Sequence, residues 1–184
     1  MTTTADGGAA DEAIVPDTKN WTWVLERSCP ECGLDTTEVR FAELPMLIRE
    51  NAAAWPAVLD GVDVRSRPDA QTWSPLEYAA HVRDVYRIFA QRLELILDED
   101  DPLFENWDQD ATAVEDRYAD QDPHLVSSEL VDAAEVLAVA FEHVPADALA
   151  RTGRRSDGAR FTTETLGRYL IHDPVHHLWD VSHG

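Results

Sequence analysis

Three imidazoles fall within six residues near the C-terminus, His172-Asp173-Pro174-Val175-His176-His177. His172 and His176 are four apart, so a regular helix places them on one face, one turn from each other. With that spacing one helix can present two nitrogens to one ion. Zn²⁺, Ni²⁺ and Fe²⁺ favour imidazole, and a catalytic site wants three protein ligands and an open position. His81, far away in sequence, lies in another strongly helical stretch. Alone it reads as a buried histidine bonded to a carbonyl; together with the terminal pair it becomes the third ligand. The expectation is therefore a divalent metal, zinc first and nickel or iron as alternatives, held between two helices by His81, His172 and His176. Pro174 complicates this, because it removes a helical hydrogen bond and favours a bend. A bend would bring His177 to the ion in place of His176, so His177 stands as the alternate ligand. Asp84, Asp173 and Asp180 are the carboxylates placed to accept the free N–H of a ligating ring and fix its orientation.

A second signal is Cys29-Pro30-Glu31-Cys32-Gly33. Zinc knuckles use such a turn to offer two thiolates from one tight loop, with glycine giving the backbone room to approach sulfur. A closed site needs two further ligands, and the chain has no other cysteines. The histidines, or the partner subunit of a homodimer, would supply them, in a second site or one shared with the imidazoles. A redox C-x-x-C belongs at a helix start in an α/β fold, which this pattern does not suggest.

Those groups need a scaffold, and the pattern is helical. Ser74-Pro75-Leu76-Glu77 carries an N-cap, a proline at the first helical position and a capping-box glutamate. Tyr78, Val82, Val85, Phe89, Leu93 and Ile96 then form an apolar stripe with His81 at its border. Other helices are expected from Thr36 or Thr37 toward Trp55, with Pro45 kinking the helix or moving its start, from about Pro123 to His143, and from Thr163 to about Val181. A short helix is expected near Ala111 to Tyr118, and a short extended piece at Trp21 to Leu25. On the last helix Tyr169, His172, His176 and Trp179 share a face, beside Leu166, Leu170, His177 and Val181. The domain reading is a disordered leader over 1–18, an extension with the cysteine turn over 19–35, and a helical bundle over 36–184.

Composition narrows function. Fifteen basic against 36 acidic residues give a net charge of −21, which repels phosphate backbones and argues against nucleic acid as a partner. Arg151 to Arg160 is the richest basic stretch and reads as a solvated loop, or a contact for one small anion. With no membrane-length apolar run and no signal pattern, the expectation is a cytoplasmic protein acting on a small molecule, away from membranes. There is no Gly-rich phosphate loop and no Gly-x-Ser-x-Gly nucleophile turn.

Trp73-Ser-Pro-Leu-Glu-Tyr-Ala-Ala-His81-Val-Arg-Asp84, together with the His-rich last helix, resembles the DinB/YfiT-like superfamily of metalloenzymes over roughly 36–182. The resemblance implies an all-α four-helix bundle with long connections, and a divalent metal on three histidines with water in the open position. It also implies relatives that are thiol-dependent transferases or isomerases, including the mycothiol-dependent maleylpyruvate isomerase family, hence a low-molecular-weight thiol as a cofactor. A metal-dependent hydrolase or a thiol-dependent transferase is the leading expectation. The rival is a non-catalytic metal or stress-response protein with a structural Cys/His zinc site. Two features depart from the family pattern: His-x-x-x-His-His with Pro174 inside replaces His-x-x-His-His, and the cysteine turn is an addition.

Overall fold

A computed structural model describes residues 20–183. The expected leader over 1–18 lies outside the described residues. Four long helices carry the fold: α1 (Leu44–Leu59), α2 (Pro75–Asp98), α4 (Pro123–Glu142) and α5 (Thr163–His183), with a short α3 (Gln109–Glu115) in the connection from α2 to α4. Helices α4 and α5 each pack between α1 and α2, which touch one another far less. The chain is all-α in architecture, a four-helix bundle with long connections.

The start of α2 follows its sequence signal. Pro75 opens the helix, Ser74 Oγ accepts the Glu77 amide, and the Glu77 carboxylate accepts the Ser74 amide at 2.9 Å. Glu77 is buried, which by itself would raise its carboxyl pKa; Arg67 and Ser74 outweigh that and hold it low. The stripe then buries Val82, Val85, Phe89, Leu93 and Ile96 against Trp55, Leu130, Leu137, Phe141 and Leu170. At about 25 cal/mol per Å² of apolar surface, each such side chain contributes roughly 2 kcal/mol of transfer free energy.

Three local expectations are corrected. Helix α1 begins at Leu44, and Pro45 sits in its first turn, where no amide donor is needed. Trp21–Leu25 is a 3₁₀ helix capped by Asn20 rather than an extended piece. The arginine-rich stretch is a hairpin, β1 (Thr152–Arg154) paired antiparallel with β2 (Arg160–Thr162), too short to show alternation in sequence. Arg151 closes the C-terminus of α2 by donating to the Ile96 carbonyl at 2.6 Å and the Glu99 carbonyl at 2.7 Å.

Helix α5 places the site. It runs through Pro174 without interruption. Asn51 of α1 donates to the Pro174 carbonyl at 2.7 Å while its own oxygen accepts from Trp55 and Tyr86, so one buried amide fixes α1, α2 and α5 together. Gly167 allows the close approach: a Cβ there would collide with Leu44 and stand 3.0 Å from Phe141.

Candidate metal centre

Because α5 is continuous, consecutive residues are turned by about 100° and the terminal motif presents two i, i+4 pairs side by side. One pair is His172 and His176; the other is Asp173 and His177. The structure gives the pairs different partners. Donor atoms of Cys29, Cys32, His172 and His176 all lie within 4.8 Å of one another, and so do those of His81, Asp173 and His177. His81, His172 and His176 therefore do not form one group. The twist between adjacent faces sends His81 of α2 to the Asp173/His177 pair and the cysteine turn to the other.

In the first group His81 is fully buried, and its Nε2 lies 3.3 Å from Asp173 Oδ1. Among the described residues neither His81 ring nitrogen nor Asp173 Oδ1 makes a hydrogen bond of good geometry. His177 Nδ1 meets Asp180 Oδ2 at 2.9 Å, and its Nε2 is 3.7 Å from Asp173 Oδ1. Asp180 thus holds the orientation of the His177 ring. Asp173 lies among the donors themselves rather than behind one. Asp84 faces elsewhere: it binds Arg83 in a fork at 2.9 Å, Arg87 at 3.1 Å and the Tyr118 hydroxyl at 2.6 Å.

In the second group Cys29 Sγ stands 3.7 Å from His176 Nδ1, and His176 Nε2 is 3.3 Å from Glu31 Oε2. Sequence reasoning passed over Glu31, whose one signal was its place between the two cysteines.

A profile of the DinB superfamily matches residues 47–181. The chain belongs to the DinB superfamily. No curated protein sequence matches it significantly. Among solved structures it is similar to YfiT from Bacillus subtilis, described as a probable metal-dependent hydrolase with an unusual four-helix bundle topology. The TM-score is 0.70 at 16% identity, covering 89% of this chain and 97% of that one. At that identity the likeness speaks for the fold.

In this DinB chain the two groups share an electrostatic logic. Burial raises the Asp173 carboxyl, but the imidazoles of His81 and His177 outweigh it and bring its pKa to about 2, so it is an anion. Burial, reinforced by His176, lowers His172 to about 4, so its ring is neutral and has a lone pair to give. Burial raises Cys32 to about 11, with the Cys29 thiol beside it adding to the rise. Without an ion that thiol stays protonated, the opposite of a redox or nucleophilic cysteine.

A cavity of about 390 Å³ is lined by His172, Asp173, His176 and His177 of α5 and walled by Trp21, Trp107, Arg155 and Tyr169. A second, of about 240 Å³, continues it past Phe89 and Arg92. The Trp107 ring stacks on His81, nearly parallel, at 5.4 Å. Arg155 donates to the Tyr169 hydroxyl at 2.9 Å and pairs with Asp157. Arg92 is 9% exposed, lies over the Phe89 and Phe104 rings, and makes no hydrogen bond or ion pair among the described residues. Burial, with Arg155 beside it, lowers its pKa to about 10. The spacing of Trp107 and Arg92 from the histidines carried no motif, so sequence gave no sign of either.

Proposed function

We propose that this protein is a metal-dependent hydrolase for a small anionic substrate, with its active centre at His81, Asp173 and His177. The observation behind the proposal is the convergence of His81 Nε2, Asp173 Oδ1 and His177 beside an open cavity: the two shielded atoms stand 3.3 Å apart, and among the described residues neither makes a hydrogen bond of good geometry. Buried polar atoms are normally paired, and leaving one such as His81 Nδ1 without a partner costs about 1–3 kcal/mol. Two imidazoles and a carboxylate suit zinc or ferrous iron and leave coordination positions open. A divalent ion bound there would act as a Lewis acid and supply a nucleophile from water at neutral pH.

The chain's own groups do the rest. Asp180 holds His177 Nδ1 and so leaves Nε2 directed at the centre. Trp107 covers the His81 ring and limits water on that side. Arg92 and Arg155 lie along the cavity, Arg92 without an ion-pair partner among the described residues, and are placed to hold a substrate carboxylate or phosphate with its reacting bond toward Asp173. The Tyr169 hydroxyl, held by Arg155, lines both cavities.

The test is hydrolysis of a panel of carboxylate-bearing esters and amides by protein stripped and reloaded with zinc, iron or nickel. His81→Ala and Asp173→Ala should each abolish turnover and lose one metal equivalent while the fold persists by circular dichroism. Turnover retained by both variants would refute the assignment. Turnover appearing only when a small thiol is added would move the reaction to thiol-dependent transfer.

A further inference from the structure

The cysteine turn takes no part in that centre, yet folding brings Cys29 to His176 across 147 positions of sequence. The turn is shaped for sulfur. Cys29 N–H donates to the Leu34 carbonyl at 2.9 Å, and Gly33 N–H to the Cys29 carbonyl at 3.0 Å. Gly33 has φ of +76°, a left-handed conformation that residues with a Cβ rarely adopt. On the other side, His172 is 4% exposed, its Nε2 is shielded without a hydrogen-bond partner among the described residues, and one of its ring nitrogens lies within 4.8 Å of the donor atoms of Cys29, Cys32 and His176. That buried, unpaired nitrogen on a ring beside two thiols is the second and independent indication of a ligand.

We propose that Cys29, Cys32, His172 and His176 form a closed structural zinc site, separate from the His81–Asp173–His177 centre, that clamps the N-terminal segment to α5. Two sulfurs and two nitrogens are the tetrahedral donor set zinc favours, and four protein ligands leave no position for substrate. Glu31 stands at the outer nitrogen of His176, where a carboxylate orients a ligating ring. On binding, both thiols release their protons to solvent and no electrons move. The clamp bears on the cavity as well. Trp21 packs on His172 and His176 with ring centroids 5.4 and 5.3 Å away and lines the cavity wall, so the ion holds one wall of the neighbouring pocket in place.

The experiment is cobalt reconstitution of the full chain, purified without a histidine tag, beside elemental analysis. Wild type should show thiolate-to-cobalt charge-transfer absorption and intense tetrahedral ligand-field bands. His81→Ala should keep both while losing the other equivalent, and Cys29→Ser/Cys32→Ser should lose both. Where the double serine variant fails to fold, His176→Cys supplies the answer, because a third thiolate should preserve binding and strengthen the charge-transfer band. Absence of charge transfer in wild type, or its loss in His81→Ala, overturns the proposal. A wild type holding one equivalent with full charge transfer would leave this site standing and remove the catalytic reading instead.

Discussion

His177 and Asp180 are joined at 2.9 Å through Nδ1 and Oδ2, one turn apart on α5, and this bond decides which nitrogen of His177 looks toward His81. Its neighbour His176 does the reverse, presenting Nδ1 to Cys29 and Nε2 to Glu31. Two adjacent histidines thus serve opposite sides of one helix face.

In the proposed His81–Asp173–His177 centre Asp180 would tune metal affinity from behind His177, without touching the ion. Asp180→Asn should weaken binding there by about 10- to 100-fold, in the range found for carboxylates behind ligating imidazoles. A competition titration against a chromophoric chelator measures it. Unchanged affinity would show that His177 is held by packing alone.

Arg92 lies among Phe89, Phe104 and Arg155 and makes no ion pair among the described residues. Its charge opposes folding at every pH below its lowered pKa. Arg92→Met should raise stability by roughly 1 kcal/mol, since a buried ion is replaced by an apolar side chain of similar length. The same change should abolish the rise in melting temperature that a small dicarboxylate or phosphate produces in wild type. A variant less stable than wild type would mean that the guanidinium is already satisfied.

Asp84 gives the acid limit of stability. Burial would raise its pKa, but Arg83, Tyr118 and Arg87 outweigh that and hold it below the ordinary value. A depressed carboxyl contributes stability that is present above the unfolded value of about 3.9 and is lost as pH falls through the folded value. Asp84→Asn should cost roughly 2 kcal/mol near neutrality, because Arg83 loses its two-pronged carboxylate partner and keeps only one carboxylate among the described residues, Glu129 at 3.0 Å. It should also flatten the loss of stability that wild type shows as pH falls below the unfolded carboxyl value of about 3.9. Urea midpoints at neutral and acid pH test both.

Gly167 tests the packing that seats α5. Gly167→Ala places a methyl group against Leu44 and Phe141. The helix-propensity gain is about 1 kcal/mol, and overpacking costs about 1–3 kcal/mol. A net loss is expected by thermal melting, accompanied by weaker metal binding as α5 shifts. A more stable variant would show that Leu44 can move aside.

Much of the bundle was legible in the chain. Ser74, Pro75 and Glu77 marked the start of α2 by local hydrogen-bonding chemistry, and the 3.6-residue stripe from Val82 to Ile96 defined its buried face, because capping and periodicity are properties of neighbours in sequence. The same locality marked His81, the terminal histidines and the cysteine turn as groups able to bind metal. Which donors meet was decided only by the tertiary structure. His172/His176 and Asp173/His177 have identical spacing, so nothing in the sequence assigns His81 to one pair and Cys29 to the other. The assignment depends on the rotation of α5 about its axis, set by Asn51 on the Pro174 carbonyl and by the close approach at Gly167. Those contacts join residues more than a hundred positions apart, and no local pattern encodes them.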